Sequence, residues 1–196
     1  MTRWWISDAH IGHSNIIGYC GRPFADVEAM NAAIFDRWRA VVSPDDDVWV
    51  LGDVALGKSW EAHVRSFATL PGRKVLVPGN HDFVWSSKRS GRGAVYAEVF
   101  AEILPQSTRA TVGDREVLVA HMPYADPTWT EADKHAKYRP VDTGLPLLCG
   151  HVHEKWATSG QMYNVGVDVH GFAPVAESEI IAWLATLNTH ATSLVP

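Results

Sequence analysis

Arg3-Trp4-Trp5-Ile6-Ser7-Asp8-Ala9-His10 and, further along, Asp47-Val48-Trp49-Val50-Leu51-Gly52-Asp53 decide the reading of the fold. Each is a short apolar run rich in β-branched and aromatic residues. Each then stops at a residue type that ligates metals. Runs this short, bounded by turn residues, predict buried strands. Lys74 to Val77, Glu116 to Ala120 and Leu145 to Cys149 repeat the pattern.

Helical periodicity fills the gaps. Asp26 predicts an N-cap for a helix from Val27 to about Val42, whose Met30, Ile34, Trp38 and Val41 trace one face. Ser43-Pro44-Asp45-Asp46 ends it. A second helix is expected from Ser59 to Thr69, stopped by Pro71-Gly72, and a third from Val95 to Ile103, closed by Pro105. Gly113-Asp114 between Ser107–Val112 and Arg115–Ala120 is a two-residue hairpin signal. Gln161–Val165 reads as a strand and Ala176–Leu187 as the final helix. This order predicts an α/β chain, a mixed sheet system covered by helices. The stretch from Met122 to Asp142 exceeds usual loop lengths and is a candidate lid.

The polar residues that follow the strands are not scattered. Asp8-x-His10 ends the first strand, Gly52-Asp53 the second, and Gly79-Asn80-His81-Asp82 the third. His121 ends the hairpin strand, and Gly150-His151-x-His153 the strand after it. Ligands in open α/β sheets gather outside the carboxyl ends of strands, so these five turns are expected to converge. Glycines 52, 79 and 150 are expected to let the backbone turn sharply there. Carboxylates, imidazoles and one amide, with no thiolate, suit Mn, Fe or Zn. Seven such ligands exceed one tetrahedral site, and two ions sharing a carboxylate is the economical arrangement.

The chain has 196 residues, within the size of one domain, and the whole of 1–196 is read as one. A formal net charge of −5 argues against binding long nucleic acid through a phosphate-neutralising surface. It leaves room for a small anionic substrate, because bound cations invert the local field. Cys20 and Cys149 form no CxxC pair, which fits a reduced, cytoplasmic protein. The first residues turn polar too soon for a secretory signal, and no apolar run approaches the ~20 residues that span a bilayer. Among nine tryptophans, Trp4, Trp5, Trp38, Trp49, Trp60 and Trp183 sit in apolar periodic contexts and are expected to pack the core.

Taken in order, Asp8-x-His10, Gly52-Asp53, Gly79-Asn80-His81-Asp82, His121 and Gly150-His151-x-His153 resemble the signature of the calcineurin-like metallophosphoesterase superfamily. The longer stretches Asp8-Ala9-His10-Ile11-Gly12-His13-Ser14-Asn15-Ile16 and Tyr163-Asn164-Val165-Gly166-Val167-Asp168 resemble a short bacterial and phage branch of it. The resemblance implies two packed mixed β-sheets flanked by helices. It implies one metal held by Asp8, His10, Asp53 and His153, and a second held by Asp53, Asn80, His121 and His151, with Asp53 bridging. It places His81 opposite the substrate phosphate, where it stabilises or protonates the departing oxygen while a hydroxide between the metals attacks phosphorus in line. Many relatives carry an Asp three residues after the bridging one, which orients that histidine. Here the position is Leu56, and Ala120 stands where Gly commonly precedes the ligand histidine.

The expected activity is a phosphodiesterase using two divalent ions, Mn2+ first and Fe or Zn next, on nucleotides or 2′,3′-cyclic nucleotides. A phosphomonoesterase, a short-strand nuclease and a non-catalytic metal-binding scaffold are the alternatives. Further polar and aromatic residues lie outside the signature. His13 and Asn15 read equally as substrate contacts or as a polar helix start. Lys88, Arg89 and Arg92 are a basic cluster that could draw in phosphate. Trp129, His135, Tyr138 and Arg139 could stack on a base or clamp an anion. Asp168 and His170 read as support of the metal cage, and His63 and His190 as incidental surface residues.

Overall fold

The computed structural model of the chain describes residues 1–85, 91–125 and 135–191. In the first sheet β1 (Arg3–Ile6), β2 (Asp47–Val50), β3 (Arg73–Leu76) and β4 (Glu102–Ile103) run parallel. The last strand, β10 (Val175–Ala176), pairs antiparallel with β1, giving the order β10-β1-β2-β3-β4. The second sheet comprises β5 (Ser107–Val112), β6 (Arg115–Ala120), β7 (Leu147–Cys149), β8 (Thr158–Ser159) and β9 (Met162–Asn164). Its order is β5-β6-β7-β9-β8, with β6, β7 and β9 parallel to one another and an antiparallel strand at each edge. This is the expected α/β pair of mixed sheets.

Side-chain alternation builds the layers. Along β6, Val117 and Val119 point to one cluster while Leu118 and Ala120 point to another, as a period of two requires. The first cluster lies between the sheets, where Trp5, Leu51 and Val77 meet Val119, Leu148 and Tyr163. Ile180 and Leu184 of α5 (Glu177–Ala191) close the same layer. A short α1 (Ser14–Tyr19) follows the first turn, and on the outer face of the first sheet Ile6, Val48, Val50 and Leu76 pack against α2 (Val27–Val41) and α3 (Trp60–Ser66). Trp5, Trp38 and Trp60 are buried in these layers, and Trp4, Trp49 and Trp183 pack against them partly buried.

The Asp26 carboxylate accepts from the Ala29 N–H at 2.7 Å, the N-cap its sequence context predicts. Met30, Ile34 and Trp38 are fully buried, but Val41 is 38% exposed because the chain leaves the helix there. A larger departure concerns Val95–Ile103. Only Ala94–Ala97 (α4) is helical, and Glu102–Ile103 join the sheet as β4 beside Val75 and Leu76. The open edge of β3 offers backbone partners: Ala101 N–H donates to the Lys74 carbonyl and Leu104 N–H to that of Leu76. Pairing outweighs local helical preference. No helix among the described residues is long and apolar enough to cross a membrane.

Candidate metal centre

All five turns converge between the carboxyl ends of the two sheets. Ser7 forms an isolated parallel bridge with Gly166, and its N–H donates to the Val165 carbonyl at 3.0 Å, so the β1 turn is tied directly to the second sheet. The glycines act differently from one another. Gly52 takes φ +80°, a left-handed turn. Gly79 and Gly150 do not; they are needed for space, since a Cβ at Gly79 would meet Asp53 and one at Gly150 would meet Ser7 and Asp8. The sharp-turn reading therefore holds for Gly52, and close approach of neighbouring turns explains the other two.

Six described non-glycine residues have positive φ, and five of them are Asp8 (58°), His10 (50°), Asp53 (52°), His151 (71°) and His153 (51°). L-residues in that region cost of order 1–3 kcal/mol each, and such strain concentrates at functional sites. The strain here has visible counterparts. Each carboxylate has one oxygen pinned by a backbone donor and the other aimed at imidazoles. Asp53 Oδ1 accepts from the His81 N–H at 2.8 Å, while Oδ2 lies 3.4 Å from Nε2 of both His10 and His121. Asp8 Oδ2 accepts from the His151 N–H at 2.9 Å, while Oδ1 lies 3.9 Å from Nε2 of both His10 and His153.

The 3.4 Å gaps at Asp53 are those of ligands around a common ion, and the 3.9 Å gaps at Asp8 are about half an ångström wider. Two donors each ~2.1 Å from one metal stand about 3.0–3.4 Å apart. Asp8 Oδ1 and both ring nitrogens of His10 are buried without a hydrogen-bond partner. Buried polar atoms are rarely left so, and a cation between the carboxylates would satisfy Asp8 Oδ1 and His10 Nε2. His121 adds to the same picture. Its Nδ1 lies 2.7 Å from the Leu51 carbonyl, which requires a proton on Nδ1. Its Nε2 then faces Asn80 Oδ1 at 3.1 Å as well as Asp53, and only a second proton or a metal makes that favourable. Ligand atoms of Asp8, His10 and His153 lie within 4.8 Å of one another, as do those of Asp8, Asp53 and His121. His151 stands with its ring 5.3 Å from that of His121, and Asn80 is buried between the turns. The seven expected ligand residues thus share one site.

His81 is placed differently. Its side chain is 41% exposed, with Nε2 4.0 Å from Asp53 Oδ2 and its ring 5.4 Å from that of His10. It faces outward from the floor of the site. Asp82, whose role the sequence did not disclose, is fully buried beneath it. Its carboxylate accepts from the N–H groups of Asp53, Val54 and Gly79 and from the Tyr96 hydroxyl, locking the second turn to the third. Burial and the nearby Asp53 push its pKa up to about 6.

Around the rim, His13 is half-buried against His10 and beside the exposed Tyr19, whereas Asn15 is exposed. The His135 ring lies 5.5 Å from that of His151, Tyr138 packs edge-on against Trp85, and Arg139 donates to the Pro123 carbonyl. Trp129 and most of the proposed lid's centre, with Lys88 and Arg89, lie outside the described residues, as does the His190 side chain. Arg92 stacks over Phe83 at 4.1 Å and Trp60 at 5.4 Å. Asp168 lies 3.1 Å from His153 Nδ1, and His170 Nε2 bonds the Asn164 carbonyl at 2.6 Å. His63 is a correction: it is half-buried, with its ring against Gly12, because α3 packs directly behind the first turn.

Charge in the metal-free site predicts a pH response. Burial pulls the His121 pKa down, but Asp53 more than offsets it, raising the value to about 9. Burial likewise opposes protonation of His153, and Asp8 and Asp168 override it, to about 11. A raised histidine pKa stabilises the fold fully below the unfolded value near ~6.5 and loses that contribution as pH climbs through the folded value. The Tm of metal-free protein is therefore expected to fall between pH ~6.5 and ~9, while manganese binding tightens and releases protons over the same window. Thermal melts with chelator and with manganese check this; a metal-free Tm that climbs across the window would contradict it.

Buried carboxylates and imidazoles at the strand ends of a two-sheet α/β fold define the class of metal-dependent hydrolases. The model of the calcineurin-like phosphoesterases matches residues 1–160, and the chain belongs to that family, in its short phage and bacterial branch. It is 34% identical over 187 residues to the Gene 66 protein of Mycobacterium phage L5, covering 86% of this chain and 87% of that one. It is 30% identical over 189 residues to the Gene 66 protein of Mycobacterium phage D29, covering 89% and 92%. AQ665, a protein of unknown function from Aquifex aeolicus, has a solved structure similar to this one with a TM-score of 0.70 at 25% identity, covering 93% of this chain and 98% of that one. The family acts on phosphate esters and depends on two metal ions, and the chain's Asp and His groups are of the kind that bind them.

Proposed function

We propose that the chain is a phosphodiesterase acting on nucleotides or 2′,3′-cyclic nucleotides, with manganese as the preferred metal. One ion would be held by Asp8, His10, Asp53 and His153 and the other by Asp53, Asn80, His121 and His151. The observation that carries this reading is Asp53 Oδ2, which two imidazole nitrogens face at 3.4 Å. Two bound divalent ions supply Lewis acidity at the phosphoryl oxygens and a water acidic enough to act near neutral pH.

The chain's own residues complete the chemistry. Asp53 and Asp8 present buried carboxylate oxygens to the imidazoles, a preorganised setting for cations. Asp82 keeps the Asp53 and Gly79 turns in register through three backbone N–H groups. His81, exposed above Asp53, is placed to give a proton to the departing oxygen. The His13 ring beside His10 and the His135 ring beside His151 border the site, where a base or sugar would lie. A reducing compartment, the cytoplasm, suits two free thiols, one of them Cys20 beside His153.

The preference for diesters rests on charge. A diester carries one negative charge and a monoester nearly two. Near the ligands, Arg22 is bound to Asp168 and Arg139 donates to a backbone carbonyl. Model diesters and 2′,3′-cyclic nucleotides are expected to show higher kcat/KM than nucleoside monophosphates in a panel on manganese-loaded protein. If monophosphates win throughout, the chain is a phosphomonoesterase; cleavage of oligonucleotides alone would make it a short-strand nuclease.

A further inference from the structure

Arg22 belongs to none of the motifs above, yet it touches the turn that carries Asp8 and His10 and, through Asp168, reaches His153. Its guanidinium is completely buried. Nε and Nη2 donate to the two oxygens of Asp168 at 2.7 and 2.8 Å, a bidentate fork. Nη2 also donates to the Asp8 carbonyl at 2.8 Å, and Nη1 to the Ala9 carbonyl at 3.2 Å. Those carbonyls belong to the two successive peptide planes between Asp8 and His10, and both of these residues hold positive φ. Arg22 thereby fixes the planes that a strained turn would otherwise relax.

The other end of the fork reaches His153. Asp168 Oδ2 stands 3.1 Å from His153 Nδ1, so Nδ1–H donates to it and Nε2 is left to face Asp8 Oδ1. One arginine and one aspartate therefore orient three ligand side chains without approaching the space between them. Three of the remaining ligands have separate supports, while the His151 N–H leans on Asp8 Oδ2. Leu51 holds His121, and Asp82 holds the turns bearing Asp53 and Asn80.

We propose that the Arg22–Asp168 pair is the positioning element of the Asp8/His10/His153 metal position, and sets that position's affinity with little effect on the other. The proposal rests on the metal assignment under Proposed function. A guanidinium is required rather than any cation, because an ammonium cannot make the fork and reach two carbonyls at once.

The test is a calorimetric titration of manganese into metal-free protein, with bound metal counted after dialysis. Wild type is expected to bind two ions. In Arg22→Lys and Asp168→Asn, one ion should bind about 10–100-fold more weakly while the other keeps its affinity. At saturating manganese, kcat should return toward wild type, and the manganese concentration giving half activity should climb by the same factor. Asp168→Asn nearly preserves shape and one acceptor oxygen, so it decides the matter if Arg22→Lys does not fold. Equal weakening of both ions, or of neither, in a variant that melts cooperatively like wild type would overturn the proposal. Fewer than two ions on wild type would instead strike the metal assignment, and the inference with it.

Discussion

Asp53→Asn is expected to release most of both metal ions and to reduce turnover beyond the ~10²–10³-fold that loss of a single preorganised group costs. The expectation is physical. Oδ2 is the oxygen that His10 and His121 both face, and an amide offers there either a neutral oxygen or an N–H2 that repels a cation. The other oxygen accepts from the His81 N–H, and an asparagine that keeps this bond must turn its N–H2 toward the imidazoles. Metal content of the purified variant after manganese loading checks the result. Loss of one ion with the second bound normally would remove Asp53 from the bridging position.

His81→Ala should leave both ions and the fold in place while lowering turnover by about 10²–10⁴-fold, the range for acid–base groups. The bond from residue 81 to Asp53 is a backbone bond, so alanine retains it. The imidazole is partly exposed at the surface of the site, so its removal leaves no sealed cavity in the core. Leu56 stands where many relatives hold the orienting Asp, which favours the lower end of the range. A leaving group that departs as a stable anion needs no proton. The defect should therefore be small with a nitrophenyl ester and large with an alkyl ester. An equal defect with both would deny His81 the role of proton donor, and unchanged turnover would make it structural.

Much of this site could be read before the fold was known, for a simple reason. Ligands such as Asp8, Asp53 and His121 directly follow apolar strands, so a period of two and a sudden polar residue mark both strand and site. The hairpin at Gly113-Asp114 and the Asp26 cap were legible because short-range hydrogen bonding dictates them. Glu102–Ile103 were not, because they become a strand only beside the open edge of β3, a partner remote in sequence. Arg22 was hidden for the same reason. It sits between Gly21 and Pro23, and its meaning arises from Asp168 and the Asp8 turn, which only the folded chain brings to it. Asp82 belongs to the Gly79-Asn80-His81-Asp82 motif, but its work lies in three backbone N–H groups that carry no sequence signature.

The central claim is a two-metal phosphoesterase centre shared by Asp8, His10, Asp53, Asn80, His121, His151 and His153. It is tested most directly by titrating manganese into metal-free wild-type protein while following hydrolysis of a model phosphodiester. The account predicts two ions per chain and negligible hydrolysis until the second is bound. Saturation at one ion, or hydrolysis at full rate with chelator present, would contradict it.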